Sequence, residues 1–140
     1  MHDGFEEALD SIWHDVDIAL AALDCPVFYT GHSLGAALAT LAAVRRPPKA
    51  VYTFGSPRVG NEAFAATLRD VRMYRVVDGE DVVTTLPPKV LGFRHVGEEQ
   101  VLADPQATSL LRHFNIKRFC GPPRPLADHA PINYVDRVGR

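Results

Sequence analysis

The sequence predicts an α/β protein with a mostly parallel sheet flanked by helices. Three short runs of β-branched and aromatic residues alternate with two helical patterns along the first half of the chain. Consecutive strands joined by helices form right-handed crossovers, which make the strands parallel. An acidic loop follows the third predicted strand, at the sheet edge where ligands bind in such folds. With 140 residues, the chain is expected to form a single domain over 1–140.

The boundaries of the predicted elements come from hydrophobic periodicity and from residues that end a run. Apolar residues recur at three- and four-residue steps from Gly4 to Leu23, a helical pattern that Pro26 ends. We predict strands over 27–30, 50–54 and 72–77, and further helices over 34–45, 62–70 and 131–138. The Ala-rich face of helix 34–45 predicts close packing on the sheet. Segments 92–96 and 99–102 are predicted to pair antiparallel.

The composition limits the possible partners and locations. A net charge of −2 gives no electrostatic basis for nucleic-acid binding, and no apolar run approaches the length of a transmembrane helix. The N-terminus is polar and acidic, so it is not a signal peptide. Cys25 and Cys120 are too few for a zinc pattern, and two free thiols in a cytoplasmic protein are favoured over a disulfide. The mature form of a secreted protein would also lack a signal.

One turn carries the clearest chemical signal. Gly31-His32-Ser33-Leu34-Gly35 fits G-x-S-x-G between a strand-like and a helix-like segment, which is the pattern of a nucleophile elbow. Such a turn exposes the serine to a base, and only small residues such as glycine are expected to fit two positions either side. The backbone N–H of Leu34, at the start of the helix, would donate to a developing oxyanion. The alternative is an ordinary strand–helix turn with a buried serine.

A serine nucleophile needs a base, and the base needs a carboxylate to orient it. Three acids follow the third predicted strand: Asp78, Glu80 and Asp81. Asp81 precedes an apolar pair that could bury it, which puts it only slightly ahead of Asp78.

Three downstream histidines are candidates for the base. His95 lies in a strand-like segment, where a packed structural histidine is the common outcome, and His113, between Arg112 and Phe114, is expected at the surface. His129 lies in a late loop that could reach over the edge of the sheet. Chain order favours His129 without excluding the other two.

Several motifs, taken in order, resemble one family. They are His2–Phe5, Tyr29–Gly35, Thr53–Asn61, Asp81–Val83, Leu86–Pro88, Gly92–Glu98 and Asp128–His129. Together they resemble the C-terminal half of the class 3 lipases, which belong to the α/β-hydrolases. The resemblance implies that Asp81 is the acid, since the family's acid stands shortly before Leu-Pro-Pro. It implies that His129 is the base, although Ala130-Pro131 replaces the leucine that usually follows the histidine.

The resemblance also implies that the chain is a truncated or minimal α/β-hydrolase domain. Family members carry N-terminal strands, a second oxyanion donor and a lid helix before the stretch that matches here. We therefore expect an exposed edge at the first strand, open to pairing with another copy of the chain. We also expect reduced activity, because loss of one oxyanion donor typically costs about 10²–10³ in kcat.

The leading hypothesis is a serine carboxylester hydrolase that acts on acylglycerols or short-chain esters through an acyl-enzyme. Its chemistry requires neither a metal nor an organic cofactor. Without a lid, we expect little interfacial activation and a preference for short, soluble esters. The alternative hypothesis is an inactive binding or partner module that keeps the elbow as architecture. A third keeps the enzyme but transfers the acyl group to an alcohol or hydrolyses phospholipids.

Overall fold

The computed structural model describes residues 3–102 and 124–138, which form a parallel sheet flanked by helices. The sheet order is β1-β2-β3-β4, from β1 (Phe28–His32), β2 (Ala50–Phe54), β3 (Met73–Asp78) and β4 (Glu98–Leu102). The α-helices are α1 (Asp3–Ala21), α2 (Leu34–Arg45), α3 (Glu62–Thr67), α4 (Arg124–Ala127) and α5 (Pro131–Val138). Two 3₁₀ turns cover Val82–Thr85 and Lys89–Leu91. The predicted α/β class and its parallel sheet are confirmed.

Helix α2 forms the centre of the core, between α1 and the sheet. Its alanines Ala36, Ala37 and Ala43 are completely buried. Their small side chains allow the helix backbone to lie close to the strands, where Val51 of β2 is also completely buried. The close packing predicted from the Ala-rich face is therefore confirmed.

Helix α1 buries less of its apolar stripe than its periodicity predicts. Leu9 is buried and Trp13 packs against the core, but Ile12 is 46% exposed. The stripe is wider than the surface that α2 offers, so its remaining side chains line an open apolar groove beside β1. Neither α1 nor any other helix in the described ranges is long and apolar enough to cross a membrane.

The predicted antiparallel pair near residue 95 is wrong. Strand β4 pairs parallel with β3, with Tyr74 opposite Glu98. Segment 92–96 forms no strand, and only Arg94 makes an isolated bridge, to Gly60. Gly92 and Gly97 adopt left-handed backbone angles (φ 82° and 83°) that interrupt the extended run. The chain thus turns back and adds β4 to the existing sheet.

Strand β1 forms one edge of the sheet, as expected, since it pairs only with β2 among the described residues. Association of two copies through this edge stays a prediction. Cys25 is exposed shortly before β1, whereas Cys120 lies outside the described residues, so their pairing stays open.

The parallel arrangement brings several strand ends to one edge of the sheet. Strand β1 runs two residues beyond its predicted end, directly up to Ser33, and β3 runs one residue further, to Asp78. Helix α3 ends at Thr67, three residues earlier than predicted. The loops that follow β1, β2 and β3 therefore meet at the carboxyl edge, where they build the site.

Candidate active site

Ser33 occupies a strained turn between β1 and α2. Its φ of 56° is the left-handed value that a non-glycine residue rarely adopts, at a cost of about 1–3 kcal/mol. The turn is held because the Ser33 N–H donates to the Phe54 carbonyl at the end of β2 (3.0 Å). Its carbonyl accepts from the Ala36 N–H at 3.1 Å, which starts α2. This is the local geometry that the elbow motif predicts.

The two glycines of the elbow differ. A Cβ on Gly31 would lie 2.3 Å from the carbonyl carbon and oxygen of Gly35, so a side chain at position 31 would collide with backbone. A Cβ on Gly35 would meet no atom within 4 Å among the described residues, because Gly35 borders the open groove beside β1. The steric expectation is correct for Gly31 and wrong for Gly35.

His129 lies between the serine and an acid. Its Nε2 is 2.8 Å from Ser33 Oγ, and its Nδ1 is 2.9 Å and 3.0 Å from the carboxylate oxygens of Asp81. A carboxylate only accepts, so Nδ1 carries the proton and Nε2 is left to accept from the serine hydroxyl. These contacts join residues that lie 48 and 96 positions apart in the chain.

Asp81 is held rigidly at the edge of the sheet. It is 1% exposed, and its carboxylate also accepts the Val83 N–H at 2.9 Å and the Tyr134 hydroxyl at 2.6 Å. Gly55 allows the acid and base to approach, since a Cβ there would lie 2.7 Å from Asp81 Oδ2 and 3.1 Å from His129 Nδ1.

The other candidate acids have different partners. Asp78 is completely buried at the end of β3, where its carboxylate forms an ion pair with Arg137 of α5. Glu80 is exposed, and its backbone N–H donates to Asp128 at 2.9 Å. Of the three acids, only Asp81 lies against His129.

The other candidate bases are not at this site. The Nε2–H of His95 donates to the Thr84 carbonyl at 2.7 Å. Burial, and then the charge of Arg75, lower the pKa of His95 to about 4, so the ring is neutral at physiological pH. This is the structural role expected for His95. His113 lies outside the described residues.

Two contacts of the site were not predicted from the sequence. His32, inside the elbow, faces the base: its Nε2–H donates to the His129 carbonyl at 2.9 Å, and the ring centroids are 4.6 Å apart. Burial, and then the neighbouring His129, lower the pKa of His32. The hydroxyl of Tyr134 accepts the Asp78 N–H at 3.1 Å while it donates to Asp81.

Tyr134 stays protonated, because burial and then its bond to Asp81 raise the pKa of its hydroxyl. Its position five residues after His129 carries no motif of its own. Only the packing of α5 on β3 shows what it contacts.

The surroundings of Ser33 fit an acyl-transfer site. Helix α2 begins at Leu34, so the Leu34 N–H lies in the first turn, where N–H groups lack an acceptor within the helix. An apolar cleft of about 430 Å³ is bordered by His32, whose ring contacts that of His129, and by Phe54, Pro131, Tyr134, Val135 and Val138. Such a lining suits hydrocarbon rather than a charged ligand.

Known proteins resemble this chain in sequence and in structure. A secreted mono- and diacylglycerol lipase of Fusarium solani is 44% identical over 110 residues, which cover 71% of this chain and 33% of the relative. The crystal structure of a lipase from Rhizopus microsporus var. chinensis superposes with a TM-score of 0.66 at 36% identity, covering 74% of this chain and 42% of that one. A triacylglycerol lipase whose catalytic centre is formed by a serine protease triad superposes with a TM-score of 0.64 at 33% identity, covering 74% and 45%.

The chain thus spans about a third of the length of the Fusarium relative and less than half of each solved structure. The family profile described as Lipase (class 3) matches residues 1–91, well over half of the 140 residues. The chain therefore belongs to the class 3 lipase family, within the α/β-hydrolase fold.

Proposed function

We propose that the chain is a serine carboxylester hydrolase in which Ser33 is the nucleophile, His129 the base and Asp81 the orienting acid. The observation that carries this proposal is the continuous hydrogen-bonded path from Ser33 Oγ through the His129 ring to the Asp81 carboxylate. The strained turn at the half-buried Ser33 supports the same role.

In this mechanism, the Ser33 oxygen attacks the ester carbonyl carbon while its proton passes to His129 Nε2. Asp81 stabilises the imidazolium that forms, and the Leu34 N–H donates to the oxyanion. Collapse of the tetrahedral intermediate expels the alcohol, which takes the proton from His129 and leaves an acyl-enzyme. Water, deprotonated by His129, then attacks the acyl carbonyl and releases the carboxylic acid and free Ser33.

Lipid esters are the substrate class that the relatives and the cleft support. The Fusarium relative acts, by its name, on mono- and diacylglycerols, and the cleft bordered by His32 and Tyr134 is apolar. Short, soluble esters remain the expected preference. A p-nitrophenyl ester series whose rate peaks at long chains, with a jump above the solubility limit, would contradict that preference. The name of the same relative supports secretion rather than the cytoplasmic location expected from composition.

The test is hydrolysis of p-nitrophenyl acetate and butyrate by the purified chain, beside its Ser33→Ala variant and on samples of known oligomeric state. Ser11→Ala is the matched control, since Ser11 lies on the exposed face of α1. We expect turnover by the wild type and by Ser11→Ala, and loss of at least about 10³-fold in Ser33→Ala. A fluorophosphonate should label Ser33 in the two active forms alone.

A folded wild type that neither turns over nor labels would contradict the proposal. The alternative, a hydrolase-fold module that binds a partner, would then account for the retained elbow. Activity confined to an associated form would show that a second copy completes the site, through the edge of β1 or elsewhere.

A further inference from the structure

We infer that Asp128 and Arg137 are positioning residues, which fasten the turn that carries His129 to the loop that carries Asp81. The inference rests on the proposed function, because its purpose is to keep the base between acid and nucleophile. Asp81 and His129 lie on two separate loops, and backbone connectivity alone does not keep them 2.9 Å apart.

The first link lies beside the base. Asp128 directly precedes His129, and its carboxylate accepts the Glu80 N–H at 2.9 Å. Glu80 in turn directly precedes Asp81. This one hydrogen bond therefore joins the chain neighbours of the base and of the acid.

Gly79 makes room for that bond. Its φ of 48° lies in the left-handed region, and a Cβ there would stand 2.5 Å from the Asp128 carboxylate. In the loop between β3 and Asp81, Gly79 thus leaves space for the Asp128 carboxylate, and the N–H of the next residue, Glu80, points toward it.

The second link lies one helical turn beyond Tyr134. Arg137 on α5 forms an ion pair with the completely buried Asp78 and approaches Asp128 at 3.8 Å. Arg137 thereby ties α5, and the turn before it, to the end of β3. A buried, charge-assisted contact of this kind is far less screened than a surface ion pair.

Both links act through His129, and neither side chain is proposed to touch substrate. Loss of a link would let the His129 ring drift from the line between Ser33 and Asp81. Displacement of a catalytic group by about 1 Å can reduce the rate by about 100-fold. Substrate affinity depends on other groups, so we expect kcat to fall while KM stays nearly constant.

The experiment compares Asp128→Ala with Asp128→Asn, which keeps an acceptor for the Glu80 N–H. We expect Asp128→Ala to lower kcat on p-nitrophenyl butyrate by about 10-fold with less than about a twofold change in KM, and Asp128→Asn to recover most of the loss. Equal losses in the two variants, or no loss in either, would overturn the role of Asp128.

Arg137 is tested together with the buried carboxylate that it faces. Arg137→Gln alone would remove the cation beside the Asp78 carboxylate, so it is combined with Asp78→Asn, while Arg137→Lys serves as the conservative variant. Arg46→Gln is the control, because Arg46 lies at the C-terminal end of α2 and pairs with Asp17 of α1. We expect lower kcat in the double variant only, and an unchanged kcat there would remove Arg137 from the proposal.

A readout independent of activity separates this inference from the proposed function. The Nδ1 proton of His129 is held by Asp81 and should give a downfield proton resonance in the wild type. Folded Asp128→Ala should weaken or broaden this resonance, and Asp128→Asn should retain it, even if the wild type hydrolyses no ester. A resonance unchanged in Asp128→Ala would overturn the inference whatever the activity.

Discussion

The elbow and the acid–base pair belong to the same site, but different kinds of contact hold them in place. The elbow consists of five consecutive residues, Gly31 to Gly35, and its shape follows from backbone contacts within that stretch and with β2. The acid–base pair joins two loops 48 residues apart, and side chains from α5 hold it. The first region depends on local sterics, whereas the second depends on how distant segments pack.

The difference shows where each region is vulnerable. A change in the elbow acts on the backbone and should alter folding, since a left-handed residue at 33 already stores strain. A change around the acid–base pair acts on hydrogen bonds and should alter kcat while the elbow stays intact.

The largest effect is expected at the acid. Asp81→Asn keeps the size of the side chain but removes the charge that stabilises the imidazolium, so kcat for p-nitrophenyl butyrate should fall by about 10³–10⁴-fold. The melting temperature should change far less. Asp136→Asn, an exposed acid of α5, is the control and should leave kcat unchanged. Retention of more than a tenth of the activity by Asp81→Asn would remove Asp81 from the mechanism.

The elbow is tested by the same substitution at its two glycines. Gly31→Ala places a methyl group against the Gly35 backbone and should lower the free energy of unfolding by about 3 kcal/mol or more. Gly35→Ala enters open space and should change it by less than about 1 kcal/mol. Urea denaturation measures both. Equal losses would mean that the groove beside Gly35 is occupied in solution.

Tyr134→Phe weakens the acid–base region alone. The substitution removes one of the donors to the Asp81 carboxylate and the acceptor that the Tyr134 hydroxyl gives to the Asp78 N–H, and loss of a hydrogen bond to a charged group costs about 1.5–3 kcal/mol. We expect lower stability by chemical denaturation and a several-fold fall in kcat, with the elbow intact. Fluorophosphonate labelling slowed by the same factor would agree with this assignment, whereas unchanged stability would show that water replaces the hydroxyl.

The smallest effect concerns His95, which contrasts with His129 in its surroundings. The pKa of His95 is lowered from 6.5 to about 4 in the folded protein, so the unfolded chain binds the proton first as the pH falls. The contribution of neutral His95 to the free energy of unfolding is therefore fully present above about pH 6.5 and is lost as the pH falls toward 4. We expect His95→Gln to remove about 1–2 kcal/mol of that loss, a figure that allows for the partial exposure of His95. Unfolding free energies at pH 7 and pH 4.5 measure it, and parallel pH profiles for the two proteins would contradict the assignment.

Much of the fold could be predicted because local signals agree with the packing. The strand at 50–54, the helix at 34–45 and the helix at 131–138 have their predicted bounds. The predicted pairing of β4 is wrong because its residue pattern does not distinguish pairing with segment 92–96 from pairing with β3. The burial of the apolar stripe on α1 is overestimated for a similar reason. Periodicity identifies an apolar face, but it does not give the area of the surface that covers it.

The nucleophile and its turn could be predicted from residue order, because the strained turn at Ser33 is formed by five consecutive residues. From residues alone Asp78 and Asp81 were nearly equal, and only the resemblance to a family favoured Asp81. Their separation depends on packing: α5 brings Arg137 to Asp78 and Tyr134 to Asp81, which leaves Asp81 to face His129. Short-range sterics are encoded in adjacent residues, whereas the partner of a buried charge exists only after the chain has brought distant segments together.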